Sequence, residues 1–296
     1  MSLRIRSTFI IALAVITGFF FTTCSGKNQD ELDYKVMVEI PAGTFTMGAP
    51  QSEADSSSDE RPQRQITLTG FYMSKYPVTQ EWFKEVMSFN PSHFEGKYLP
   101  VETVTWFDAL TFCNELSRKE GLEPVYSITG TRKNSDSNIT AATVTVISWD
   151  NSGYRLPTEA QWEYACRAGT TGPFNTGDNI TTDQANYDGD GPYGNNPKGI
   201  YRGTTTPVNM FEANPWGLHD MHGNVYELCW DRFERYPSGN RTDPYGTASG
   251  NNKVVRGGAY FSDGQYIRSA SRGLRTTDGA NNSFGFRIVL PLRSSE

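Results

Sequence analysis

Metal binding and nucleophilic chemistry both lean on histidine and cysteine. The chain holds three of the first, His93, His219 and His222, and four of the second, Cys24, Cys113, Cys166 and Cys229. His219 and His222 stand three apart, but no third ligand suited to zinc or iron stands out, so surface or turn positions are expected for the histidines. Cys113 and Cys166 fall on apolar faces of expected helices, and Cys229 lies between Leu228 and Trp230. Buried, structural thiols are the expectation for all three. No nucleophile elbow, P-loop or recognisable carboxylate pair occurs.

Composition narrows the field further. At 296 residues, 36% hydrophobic and 13% aromatic, the chain can fill a core. Its 27 basic and 33 acidic residues give −6, which argues against a nucleic-acid partner. The 28 Gly and 16 Pro fit a loop-rich chain and not a helical bundle.

The N-terminus reads as an address. Arg4 and Arg6 precede an apolar run from Phe9 to Phe21, then Thr22, Thr23 and Cys24. That run is shorter than the ~20 residues needed to span a bilayer, so residues 1–23 are expected to be a signal peptide. Cys24 in this setting resembles the lipidated cysteine of a bacterial lipoprotein box, with Thr23 and Phe21 departing from the usual pattern. Residues 24–34 would then be the lipidated Cys24 and a flexible tether, followed by one domain over 35–296. The implied location is the bacterial cell envelope, surface-exposed, with the membrane touched only through the lipid. An ordinary secreted protein cut nearby is the alternative.

The elements that would position any site follow from periodicity. Val36–Gly48 alternates about Pro41-Ala42-Gly43, which suggests a hairpin, and Ile66–Ser74 a strand. Ala49–Arg64 is a polar loop. Thr79–Phe89, Trp106–Lys119 and Thr158–Arg167 read as helices, with Thr79 and Thr158 as caps and Gly121 as a stop. Val125–Trp149 suggests another hairpin. After a long Gly/Asn/Asp/Pro region, Val254–Val255 and Phe286–Leu290 are short strands. The class is α+β.

Several of these stretches together resemble the formylglycine-generating enzyme (sulfatase-modifying factor) family. They are VEIPAGTFTMG at Val38–Gly48, DERP at Asp59–Pro62, YPVTQEWF at Tyr76–Phe83, YRLPTEAQWEYACRAGT at Tyr154–Thr170, GLHDMHGNVYELCWD at Gly217–Asp231, and VVRGGAYFSDGQYIRSASR with FGFR at Val254–Arg287. The resemblance implies a single C-type-lectin-like domain with long insertions. Its enzyme oxidises a substrate cysteine using copper on a pair of thiols, and both thiols lie after the Gly-Gly of the last block. Here Gly257–Arg287 has no Cys, and Ser262 stands about where the first thiol would be. A hydroxyl does not replace a thiolate on Cu(I). A related iron-dependent sulfoxide synthase needs a histidine triad that this chain lacks. No catalytic residue or catalytic cofactor is therefore expected. The family's calcium site maps onto Asp220, the Gly223 and Val225 carbonyls and Glu227, so a structural calcium ion is implied there.

The segment Arg256–Arg287 also resembles the variable repeats of diversity-generating retroelements, in which adenine-templated codons, often AAC, are diversified on a C-type-lectin-like scaffold. AAC cannot become Lys, Glu, Met or Trp by changing its adenines, and none of the four occurs between Arg256 and Arg287. Gln265 does not fit an AAC origin. The resemblance marks as ligand-contacting Phe261, Ser262, Asp263, Gln265, Tyr266, Ser271 and Gly273. It also marks Leu274, Arg275, Thr276, Asn281, Asn282, Ser283 and Phe284. Arg268, Arg272 and Arg287 read as framework.

The expected function is a non-catalytic, surface-displayed binder of a protein or cell-surface ligand through this diversified segment. The rivals are an exported formylglycine-generating-type oxidase or sulfoxide synthase, and a non-variable envelope accessory protein.

Overall fold

Each helix begins at a threonine whose side chain accepts a backbone N–H that the helix itself cannot satisfy. Thr79 accepts from Trp82 at 3.3 Å and opens α1 (Gln80–Met87). Thr105 opens α2 (Trp106–Lys119) and exchanges hydrogen bonds with Asp108 as a capping box. Thr158 and Gln161 do the same for α3 (Glu159–Arg167). The first helix stops two residues before Phe89, because Ser88 turns left-handed at φ 67°. Asp108 does more than cap. Its carboxylate also accepts from the Ile139 N–H and the Asn138 side chain, which docks the hairpin β5 (Tyr126–Lys133) and β6 (Ile139–Val146) on α2.

In a computed structural model, residues 31–246 and 250–292 are described; Cys24 and the expected signal peptide lie outside them. Residues from Asp33 onward cluster as one compact unit. No helix among the described residues is long and apolar enough to cross a membrane.

The N-terminal strands depart from the sequence expectation. Val36–Gly48 is not a hairpin: β1 (Met37–Ile40) and β2 (Gly43–Met47) run on in the same sense across a bend. Ile66–Ser74 likewise divides into β3 (Arg64–Leu68) and β4 (Phe71–Ser74). The two bent ribbons pair antiparallel, with Met47 opposite Arg64 and Met37 opposite Ser74, so the hairpin closes through the polar loop after Gly48. The chain packs closely at Gly70, where an added Cβ would sit 3.2 Å from the Ile40 carbonyl oxygen.

The bend feeds two sheets and leaves a third to the C-terminal half. The sheets follow the orders β1-β4-β12, β2-β3-β8 and β10-β9-β7-β11. Here β7 is Tyr226–Arg232, β8 Arg241–Thr242, β9 Asn252–Arg256, β10 Gly273–Thr276, β11 Phe284–Gly285 and β12 Val289–Pro291. Short strands, three helices and long loops make the class α+β, as expected. The core is aromatic: Trp230 stacks on Tyr126 at 5.1 Å and lies 5.3 Å from Trp106, while Phe83 stacks on Phe112 at 5.7 Å.

Candidate functional site

The C-terminal segment departs from β9 and returns through β12, and arginines peg it along its length. Arg256, fully buried, pairs with Glu163 of α3 and lies 3.3 Å from Glu159. Arg272 grips Glu159 at 2.6 and 2.8 Å. Burial alone would raise the Glu159 carboxyl, but Arg272 and Arg256 outweigh it and hold it below its usual range. Arg268 forks onto Glu60 at 2.6 and 2.9 Å and reaches Glu53, locking the polar loop after Gly48 against the segment. Arg287 clamps Glu227 at 2.5 and 2.8 Å and donates to the carbonyls of Ser74 and His219. Arg268, Arg272 and Arg287 thus hold the fold internally, as the sequence suggested.

Between the pegs the chain turns tightly. Gly258 takes φ 72°, and a Cβ there would meet Ile267 Cγ2 at 2.4 Å. Beyond that turn Phe261 is 43% exposed and Tyr266 is 50% exposed. Leu274, 49% exposed, sits on β10, an edge strand of its sheet. Asp263, Thr276 and Asn281 are also exposed, while Gln265, Gly273, Arg275 and Asn282 are half-buried.

Four of the marked residues turn inward instead. Ser262 Oγ accepts from the Ala259 N–H and donates to the Tyr226 hydroxyl. Ser271 lends its carbonyl to Arg256, and Ser283 hydrogen-bonds Asn281 at 2.7 Å. The Phe284 ring stacks on Tyr226 at 5.4 Å and lies under Arg275 at 4.7 Å. These four shape the surface from beneath. Sequence reasoning missed two aromatic residues at the same place. Tyr226 comes from β7, and Tyr260 packs edge-on between Phe94 and Phe261 at 5.3 and 5.2 Å. Nothing local marks Tyr226, whose place depends on the β7–β11 pairing.

Burial separates support from surface, and stability measurements can read the difference. Phe261→Ala and Tyr266→Ala should each leave the unfolding free energy within about 0.5 kcal/mol of the parent. Phe284→Ala should cost about 3 kcal/mol. Urea titration followed by tryptophan fluorescence measures all three.

The positions carried over for calcium do not fit the ion. Both Glu227 carboxylate oxygens are taken, one by Arg287 and the other by Arg287 and the Trp162 indole N–H at 2.6 Å. A guanidinium seated on the carboxylate both occupies and repels where a cation would sit. Asp220 is buried with Asn224 donating to it at 2.9 Å, and burial pushes its carboxyl up to about 7. Of Asp220, Gly223, Val225 and Glu227, the one fully buried carboxylate is thus already held by the protein's own donors.

The remaining chemistry-bearing side chains are equally occupied. Burial pushes the Cys166 thiol up to about 12 and raises Cys113 and Cys229 as well, so all three stay neutral. His93 is exposed and His219 half-buried, its Nδ1 donating to the Phe211 carbonyl. His222 departs from the surface or turn expectation: it is buried, donating through Nδ1 to Ile267 and accepting at Nε2 from the Asn175 N–H. Burial lowers it to about 4, which keeps the ring neutral.

The architecture is that of a C-type-lectin-like domain whose C-terminal segment is clamped at intervals and exposed between clamps. Residues 23–292 match the sulfatase-modifying factor enzyme 1-like domain, and the chain belongs to that family. A protein of Paenibacillus barcinonensis named chaperone protein LppX is 33% identical, covering 94% of this chain and 96% of its own length. The formylglycine-generating enzyme of Mus musculus is 31% identical, covering 86% of this chain and 74% of its own. Among solved structures, Treponema denticola variable protein 1 aligns with a TM-score of 0.70 at 27% identity, over 86% of this chain and 95% of that one. PvdO from Pseudomonas aeruginosa shares the fold, with a TM-score of 0.67 at 24% identity over 86% and 94%.

Proposed function

We propose that this protein is a non-catalytic ligand-binding protein of the bacterial envelope, anchored through lipid on Cys24 and displayed at the surface. Its ligand is a protein or cell-surface molecule met by a retroelement-diversified C-terminal segment. The observation that carries the reading is the clamped and exposed geometry of Phe261, Asp263, Tyr266, Leu274, Thr276 and Asn281. Rigid aromatic area beside small polar groups is the chemistry of adaptable binding surfaces, and fixed arginine pegs let such positions change without unfolding the scaffold. Similarity to a Treponema protein named as variable supports the same reading.

Sequencing the 3′ end of the gene across a population, with a search of nearby DNA for a near-copy of codons 256–287, tests this. Substitutions confined to adenines of that copy, falling on the exposed codons, are the expected result. An invariant 3′ end without a copy overturns diversification and favours a fixed accessory protein, the reading that the Paenibacillus relative's name supports. Stoichiometric copper or iron with turnover of a cysteine peptide would overturn the non-catalytic reading.

A further inference from the structure

A cleft of about 800 Å3 opens on the domain between the Thr69–Gly70 bend, the chain after β6 and the chain after β8. No residue of 256–287 lines it, so it is separate from the surface described above. One wall is aromatic. Trp149 and Tyr245 stack with centroids 4.4 Å apart and planes 10° from parallel, and Tyr245 is 46% exposed.

The floor holds an unusual cation. Arg155 is 5% exposed, and its Nη1 donates to the Leu156 carbonyl at 3.1 Å and to Gln161 Oε1 at 2.8 Å. Its other contact is the face of Trp149, 5.6 Å from the guanidinium carbon. The buried arginines Arg167, Arg256, Arg268, Arg272 and Arg287 each sit on a carboxylate. Arg155 pairs with no carboxylate among the described residues, and burial works against its charge. Its Nε and Nη2 donate to no described residue, which leaves them free to meet an anion in the cleft.

Two carboxylates share the cleft with it. Asp243 accepts from the Thr69 N–H and hydroxyl through Oδ1 alone. The Asp150 side chain takes no hydrogen bond from a described residue. Asp150 is exposed and Asp243 half-buried, and both can accept from an entering group, which favours a hydroxyl-rich ligand over phosphate or a fatty acid. A free amino acid would leave most of the volume empty.

We propose that this cleft binds an acidic saccharide: the sugar carboxylate accepts from Arg155, a ring face stacks on Tyr245, and ring hydroxyls donate to Asp150 and Asp243. The planar fork of arginine suits a carboxylate, and the exposed aromatic face suits the C–H face of a pyranose.

Calorimetry and tryptophan fluorescence on the full mature chain test the site, with trigalacturonate as probe and maltotriose and inorganic phosphate as controls. Trigalacturonate should bind saturably and perturb Trp149 fluorescence, with maltotriose and phosphate much weaker. Tyr245→Ala and Arg155→Gln should each weaken binding by about tenfold or more, while Phe261→Ala should leave it unchanged. Tyr245 is exposed, so that variant keeps the fold and the test survives if Arg155→Gln does not. Equal binding of maltotriose, binding of phosphate alone, binding insensitive to Tyr245→Ala, or no saturable binding overturns the proposal. Each of these outcomes is independent of whether residues 256–287 are diversified.

Discussion

Replacing Arg256 with methionine is expected to lower the unfolding free energy by about 3–5 kcal/mol, the cost of stripping the partner from a buried carboxylate. Arg256 and Glu163 are both fully buried and directly paired. Arg256 also donates to the carbonyls of Ser269 and Ser271, so its loss frees the backbone just before the turn to β10. Glu163 would keep Arg167 at 2.9 Å and the Gly48 N–H at 2.8 Å, which sets the lower end of the range. Adding Glu163→Gln also takes the carboxylate from Arg167, so the double variant should lose further stability, but less than the two single losses summed. Urea denaturation of the single and double variants measures the coupling. A single variant as stable as the parent would mean that the pair contributes nothing to holding the segment.

A second large effect lies in the response to pH. Asp231 on β7 is half-buried, and loss of water around it pushes its carboxyl up to about 7; the Glu159 charge adds to this, while the Glu159 N–H at 2.7 Å and Lys253 oppose it. The unfolded value is about 3.9. A raised carboxyl binds its proton more tightly in the folded state. Its stabilising contribution is therefore complete below about pH 4 and lost as pH rises through about 7. At about 1.4 kcal/mol per unit, the loss is of order 4 kcal/mol by pH 8.

His222, lowered to about 4, acts in the opposite sense as it gives up its unfolded-state proton, so the difference between parent and variant is the clean readout. Lys253, which burial holds down to about 8, titrates at the upper edge of this range. Asp231→Asn keeps an acceptor for the Glu159 N–H and removes the charge. The variant should gain on the parent by a few kcal/mol between pH 5 and pH 8. Parallel stability curves for the two proteins over that range would show that Asp231 titrates normally in the folded state.

The helices were legible because their signals are local. Thr79 and Thr158 stand immediately before the helices they cap, and the apolar spacing of Trp106–Lys119 gives the observed bounds. The family frame was legible for a related reason: Gly258 and the arginines at 268, 272 and 287 are demanded by backbone shape and buried charge. Pairing was not legible. Val36–Gly48 carries a turn signal and two alternating strands, yet each strand finds its partner 17–37 residues on, a choice made by sheet register and not by the turn.

The candidate surface divides along the same line. Residue types between Arg256 and Arg287 pointed to an adaptable surface, and the sequence by itself marked the segment proposed for it. Which side chains face solvent was decided by the tertiary structure, because Ser262, Ser271, Ser283 and Phe284 are turned inward by contacts with β7 and with Arg256. The same holds for Glu227. Its spacing from Asp220 suits an oxygen-liganded ion, but Arg287, sixty residues later, closes on it. Local spacing can propose a ligand set, and only the folded chain shows whether a distant charge has already satisfied it.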